Sequence, residues 1–299
     1  MLISFSIIIP TWNRQILLER AIQSVRSNRD NFLVEIIVID NASKIPANID
    51  KFNDLDIRLI RLDKNYGPSI ARNKGIELAK YNFIYPLDDD DEIMRGGLKI
   101  IAQYYEKNKF YLETKPVFCF ATNLSRLKED FHIYNLKEYL GCNYGDVATV
   151  INKKKWNEFS LCYPSSKIGG ESILWIKVAK YYNIPIYNIP VENKYDDASI
   201  RLTNFKNQIS RASEYMDFQK EVVSLIKDDK KEFKKFYCKK MLGYSTYAVL
   251  SGRKKEAYKF IANQNLDKLF FIKNFLILLI PRSIMKLLFK TYRSFRKWI

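Results

Sequence analysis

Four consecutive carboxylates, Asp88 to Asp91, follow directly on the apolar run Phe83-Ile84-Tyr85-Pro86-Leu87. The run has the content of a buried parallel strand, so the chain must place four like charges at one strand end. That arrangement is costly unless something positive meets it. A divalent cation is one answer, because hard cations take oxygen ligands and leave room for phosphate oxygens. An acidic turn that caps the next helix is the other.

The upstream sequence supplies the setting. Ser4 to Pro10, Glu35 to Ile39 and Ile57 to Leu62 read as strands, and Phe83 to Leu87 is the fourth. Between them, Gln15 to Ser27 has helical spacing, with Ile16, Leu17, Ala21, Ile22 and Val25 on one face, and Ile70 to Lys80 is a second helix. Strands alternating with helices predict βαβ units and a mainly parallel sheet covered by helices, an α/β fold. Ligands of such sheets bind beyond the carboxyl ends of the strands. The polar clusters TWNR, DNAS, NYGPS and DDDD all fall at those ends.

Downstream, the pattern predicts a helix over Met94 to Lys107, a strand over Val117 to Thr122 and an irregular region to about Gly145. A strand over Val147 to Asn152, a GGE followed by an amphipathic helix within Ile168 to Tyr182, and a short strand over Ile186 to Ile189 complete this part. The polar segment KYDDASIRLT reads as a mobile loop, and the pattern is helical from about residue 204.

The 299 residues suffice for a buried core and for one large or two small domains. The net charge of +17 implies an anionic partner. Residues 216 to 299 carry 20 Lys/Arg against 7 Asp/Glu, which sets a domain boundary near residue 215 by composition. Cys119, Cys142, Cys162 and Cys238 are scattered without metal-ligand spacing and read as reduced thiols of a cytosolic protein. The N-terminal apolar run lacks a basic segment before it, so no secretory signal is expected. No stretch of ~18 uncharged apolar residues predicts a membrane span.

Taken in order, SIIIPTWNR, VIDNAS, NYGPSIARNKGI, LDDDD and GGES resemble the motifs of the inverting family 2 glycosyltransferases with the GT-A fold, over residues 4 to 205. The resemblance implies a Rossmann-like sheet with a helical C-terminal extension. It also implies transfer of a sugar from a UDP- or dTDP-linked donor to an acceptor hydroxyl, with Mn²⁺ or Mg²⁺ as cofactor. Pro10, Thr11, Asn13 and Arg14 match the loop beside the nucleoside, and Asp40 matches the carboxylate that accepts from the N–H of a uracil or thymine ring. Asp40 has a second reading, as the acceptor of a turn at a strand end. Asn65 and Gly67 belong to the donor-binding loop, where glycine permits close backbone approach. Arg72 matches a basic residue near the nucleotide, with an ion pair to Asp88 or Asp89 as its other reading.

The family's DxD motif maps onto Asp88-Asp89-Asp90, with Asp90 as the metal ligand and Asp88 and Asp89 contacting ribose, metal-bound water or Arg72. Four aspartates in a row leave a register slip of one open. The family places an Asp as general base in a Glu-Asp pair, and this chain has Glu171-Ser172 there. Either Glu171 is the base, or it is structural and the base lies elsewhere. Trp175 then belongs to the core rather than to a sugar platform. Arg201, in the polar loop, matches a position that reaches the diphosphate.

Pro281 to Ile299 holds six Lys/Arg and no acid. Lys286, Lys290, Arg293 and Lys297 fall on one helical face, with Ile284, Leu288, Phe295 and Ile299 on the other. A basic amphipathic helix of this kind reads as lying on an anionic membrane surface, or as packing its apolar face on the main domain. The membrane reading makes a lipid-linked saccharide of bacterial surface polysaccharide assembly the acceptor, and places the protein on the inner face of the cell membrane.

Two other functions fit less well. A sugar-nucleotide pyrophosphorylase has a glycine-rich loop after its first strand, and PTWNR contains no glycine. A nucleic-acid-binding protein needs basic and aromatic residues on one recognition surface, whereas the motif loops here carry carboxylates. A Rossmann dehydrogenase is excluded by the lack of GxGxxG after the first strand.

Overall fold

In a computed structural model, the described residues are 3–29, 32–141, 144–166, 168, 170–195 and 205–296. The chain forms two compact units, residues 1–199 and 200–299. Residue 215, where the composition shifts, lies inside a helix of the second unit.

The first unit is built on β1 (Ser4–Thr11), α1 (Gln15–Arg26), β2 (Leu33–Asp40), β3 (Asp56–Arg61), α2 (Pro68–Leu78) and β4 (Phe83–Pro86). It continues through β5 (Glu92–Ile93), α3 (Gly97–Lys107), α4 (Lys109–Leu112), β6 (Val117–Thr122), β7 (Phe131–Tyr134) and α5 (Leu136–Gly141). Then come β8 (Val147–Asn152), α6 (Lys153–Glu158), α7 (Glu171–Tyr181) and β9 (Ile184–Asn193). The sheet has nine strands among the described residues, in the order β3-β2-β1-β4-β8-β6-β9-β5, with β7 on β9. Strands β1 to β4 pair in parallel, as the βαβ alternation requires. Strand β8 enters antiparallel between β4 and β6.

Strand alternation distributes the core. Phe5, Ile7 and Ile9 of β1 join Ile36 and Val38 of β2 on the face covered by α1 and α3. Ile8, Ile37 and Ile39 face the other way, toward α2 and α7. On α1 the buried stripe is Leu18, Ala21, Ile22 and Val25, while Ile16 is exposed. A Cβ on Gly75 would lie 2.2 Å from Ile8 Cγ2, so only glycine lets α2 approach β1 so closely.

Several segments differ from the sequence reading. The helix expected from Met94 starts at Gly97, because Glu92 and Ile93 pair with β9 and Gly96 turns the backbone at φ +82°. The irregular region before Gly145 contains β7 and α5, and β7 is held by pairing with β9. Strand β9 runs ten residues rather than four, because β6, β7 and β5 all pair along it.

The second unit is helical, as expected: α8 (Phe205–Ser210), α9 (Ala212–Leu225), α10 (Lys234–Ser251), α11 (Lys254–Ala262), α12 (Lys268–Leu279) and α13 (Arg282–Arg296). Helix α10 is central and packs against α9, α11, α12 and α13. Among the described residues no helix is long and apolar enough to cross a membrane.

Candidate active site

The parallel register of β1, β2 and β4 brings the loops that follow them to one sheet edge, and side chains stitch those loops together. Thr11 donates its hydroxyl to Asp89 (2.7 Å), and Arg14 donates to Asp89 (2.8 Å) and Asp90 (3.1 Å). Asn13, at φ +56°, accepts from the Lys44 amide (2.7 Å) and donates its own amide to Ser43 Oγ (2.8 Å). Asn41 donates to Asn65 (3.1 Å) and accepts from the Tyr66 amide (2.9 Å). Asn65 also accepts from the Gly67 amide (2.9 Å), which sets the φ +90° turn into α2.

Asp40 is wholly buried. Its carboxylate accepts from the amides of Ser43 (2.8 Å) and Ala47 (3.2 Å) and from Arg61. Burial works against its charge, but these bonds outweigh it and hold the carboxyl below its usual range. Its surroundings are those of the turn-forming reading: Asp40 shapes the loop that displays Asn41 and Ser43. Pro10 and Thr11 pair with Ile39 and Asp40 at the end of the β1–β2 register, so the loop that carries Asn13 and Arg14 leaves the strand after Thr11.

The four aspartates have four different environments. Asp89 is buried on Thr11 and Arg14, and burial pushes it up to about 6. Asp88 accepts from Arg72 and is held down to about 2: burial opposes its charge, and Arg72 and Lys194 overcome that. Asp91 is buried, paired with Lys194 (2.6 Å) and bonded by the Tyr195 amide (3.2 Å), and burial raises it to about 7. Carboxylate oxygens of Asp88, Asp90 and Asp91 lie within 4.8 Å of one another. Three hard oxygen donors so placed fit Mg²⁺ or Mn²⁺. Asp89, bonded to Thr11 and Arg14, is not part of this group.

Arg72 is buried on α2 and reaches two carboxylates, donating to Asp88 and to Glu171. Burial disfavours its charge, and the two carboxylates more than restore it. The guanidinium also lies 5.6 Å from the centre of the Tyr163 ring. Asn73 fixes Tyr163 by exchanging hydrogen bonds with its backbone (2.8 and 2.9 Å). Glu171 is the first residue of α7 and half-buried. It lines a cavity of about 280 Å³ with Tyr139, Tyr144, Asp146, Ser172 and Trp175. Trp175 is thus both packed against the core, edge-on to Tyr163 at 5.9 Å, and part of this cavity wall.

Lys194 is the site residue that sequence reasoning missed. Its ammonium lies 2.6 Å from Asp91, 2.8 Å from Glu192 and 4.0 Å from Asp88. It sits just past the end of β9, where no motif marks it. Tyr195 follows, with Arg20 stacked 4.3 Å from its ring centre. Arg201 lies outside the described residues.

The first unit is therefore an α/β fold with an acidic site at the ends of its parallel strands. Residues 6–156 match the model of glycosyl transferase family 2, and the chain belongs to that family. It is similar to a GalNAc(5)-diNAcBac-PP-undecaprenol beta-1,3-glucosyltransferase of Campylobacter jejuni, 29% identical over 85% of each chain. It also resembles the succinoglycan biosynthesis protein ExoO of Rhizobium meliloti, 36% identical over 31% of this chain and 27% of that one. In fold it matches S. aureus TarS 1-349 in complex with UDP-GlcNAc, with a TM-score of 0.57 at 13% identity over 98% of this chain and 92% of that one. A mannosyltransferase from Pyrobaculum calidifontis in complex with GDP-Man and Mn²⁺ matches with a TM-score of 0.53 at 14% identity over 96% and 88%.

Proposed function

We infer that the enzyme moves a sugar from a UDP- or dTDP-linked donor to a hydroxyl of a lipid-linked saccharide in bacterial surface polysaccharide assembly, with inversion at the anomeric carbon. The observation that carries the transfer reading is the Arg72 bridge, which ties an acidic strand-end cluster to a carboxylate beside an open cavity. The lipid-linked acceptor is supported by the similarity to the C. jejuni glucosyltransferase, whose name specifies a PP-undecaprenol-linked saccharide.

In this reading the nucleoside lies over the loops after β1, β2 and β3, displayed by Thr11, Asn13, Arg14, Asn65 and Gly67, with Asp40 acting through the turn it builds. Asp88, Asp90 and Asp91 would hold Mn²⁺ or Mg²⁺, and the chemistry the cation supplies is neutralisation of charge on the diphosphate leaving group. Arg201, outside the described residues, is the residue read from the sequence as reaching the diphosphate. Glu171 takes the proton from the acceptor hydroxyl, which must come within ~3 Å of its carboxylate or reach it through one water. Arg72 fixes the direction of that carboxylate and its spacing from Asp88. The cavity beside Glu171 gives the acceptor sugar room, with Tyr139, Tyr144 and Trp175 as its walls. A second reading keeps Glu171 as an anchor for Arg72 and assigns the base to Asp146, which lines the same cavity. Residues 281–299 are the segment read as meeting an anionic membrane surface.

Calorimetric titration of UDP, dTDP and GDP, with and without Mn²⁺, into wild type and Asp90→Ala tests the donor site. Metal-dependent binding of UDP or dTDP that disappears in Asp90→Ala is the expected result. Preferential binding of GDP, or binding indifferent to both metal and Asp90, overturns it.

A further inference from the structure

Helix α12 is anchored by one side only. Asp267 caps its start by accepting from the Phe270 amide (2.9 Å). Phe270, Asn274 and Leu278, spaced four apart, are buried against the rest of the unit. Asn274 accepts from Ser245 of α10 (2.7 Å). Leu269, Ile272, Leu276 and Leu279 recur at helical spacing on another side and stand in solvent.

The same division holds in α13. Met285 is buried, and Phe289 stacks on Phe205 at 6.0 Å and meets the Tyr247 ring edge at 5.6 Å. Those two residues hold the helix. Ile284, Leu287 and Leu288 do not: with the four α12 residues they form a set of seven large apolar side chains, each 41–65% exposed. Of the stripe that the sequence offers, Ile284 and Leu288 face outward, while the side chains of Phe295 and Ile299 lie outside those described.

Charge identifies the occupant. From residue 268 to the end the chain has eight Lys/Arg and no Asp/Glu. A groove of about 510 Å³ runs between α8 and α13, lined by Phe205, Ile209, Ser210 and Leu287, with Lys286 and Lys290 one helical turn apart on it. A second copy of this chain, placed face to face by a two-fold axis, would set these cations against their own kind. An anionic bilayer offers an apolar interior and phosphate headgroups at its surface, which is what this combination fits.

We propose that the outward faces of α12 and α13 together dock on an anionic phospholipid bilayer, with Lys286 and Lys290 meeting phosphate headgroups at the rim of the apolar groove between α8 and α13. The sequence pointed only to residues 281–299; the docking face begins a helix earlier. The inference rests on the membrane-surface reading of residues 281–299 and extends it to α12, and it does not depend on which donor and acceptor sugars the enzyme uses.

Flotation of the full chain with phosphatidylcholine vesicles, with and without phosphatidylglycerol, tests it. Wild type is expected to float with the anionic vesicles and only weakly with neutral ones. Lys286→Gln/Lys290→Gln should lose about thirtyfold in partitioning. Leu276→Glu and Leu287→Glu, each exposed and so compatible with folding, should each lose tenfold or more, at about that order for one apolar anchor. Melting temperature and nucleotide binding of each variant serve as folding controls. Equal binding to neutral vesicles overturns the role of charge, and binding indifferent to Leu276→Glu overturns the role of α12. Wild-type affinity in the double lysine variant overturns the role of Lys286 and Lys290. Failure of wild type to float, with a dimer that dissociates in Leu276→Glu, overturns the proposal in favour of a second copy.

Discussion

Arg72 donates a hydrogen bond to Glu171, a residue 99 positions further along the chain. The same guanidinium reaches Asp88, so one buried cation ties the acidic cluster to the cavity that Glu171 lines. Lysine has donors enough but lacks the planar fork whose two separate nitrogens reach Glu171 and Asp88 in fixed directions. Arg72→Lys should therefore lower kcat by about 100-fold with a smaller change in donor KM. Steady-state kinetics on the purified enzyme checks this.

Glu171→Gln keeps the shape and a hydrogen-bond acceptor for Arg72 but cannot take a proton. A fall in kcat of about 10²–10⁴-fold is expected, with UDP binding by calorimetry unchanged. Retention of activity within about tenfold would transfer the base to another carboxylate, and Asp146→Asn is then the variant that should abolish turnover.

Lys194 stands among Asp88, Asp91 and Glu192. Lys194→Met leaves buried carboxylates without their cation, and a loss of stability of about 3–5 kcal/mol is expected. A divalent ion bound by the same carboxylates would offset part of that loss. The rise in melting temperature on adding Mn²⁺ should thus be larger in Lys194→Met than in wild type, as read by differential scanning fluorimetry.

Asp40 titrates below the ordinary carboxylate value because Ser43, Ala47 and Arg61 bond its charged form. A depressed native pKa contributes stability above the unfolded value of about 3.9 and loses it as pH falls through the native one. Asp40→Asn should accordingly be less stable than wild type by about 1–3 kcal/mol at pH 7. That gap should begin to close as the pH falls below about 4, where the unfolded carboxyl takes up its proton, and vanish through the lower native value. Urea unfolding at several pH values measures it.

Gly75→Ala places a methyl 2.2 Å from Ile8 Cγ2. The overpacking should cost about 1–3 kcal/mol. Ile8→Ala removes the obstructing atom, so the double variant should be more stable than the two single losses sum to, a coupling that a thermodynamic cycle detects.

The strands β1 to β4, the helices between them and the convergence of their loops were legible because each is written locally. A β-branched run, a turn and a periodic stripe carry their own signals, and parallel topology then fixes where the loops meet. Asp88, Asp90, Arg72 and Glu171 were legible as candidates for the same reason: each stands within a short motif. Strand β7, helix α5 and the full length of β9 were not, since pairing with distant strands, not local pattern, makes Phe131–Tyr134 and Val191–Asn193 extended.

The sequence by itself determined the fold class, the edge of the sheet at which the polar residues gather, and the basic, helical character of the last hundred residues. Tertiary structure decided how those residues are used. It turned Asp89 inward to Thr11 and Arg14 while leaving Asp88, Asp90 and Asp91 close enough to share a cation. It buried Asp40 in its own loop, brought Lys194 to the carboxylates from the far end of β9, and left Leu276 of α12 and Leu287 of α13 outward. The physical reason is the same in each case: the partner of a charge or an apolar face is chosen by spatial proximity, and proximity between residues a hundred positions apart is written in the packing of the sheet and helices rather than in any one stretch of chain.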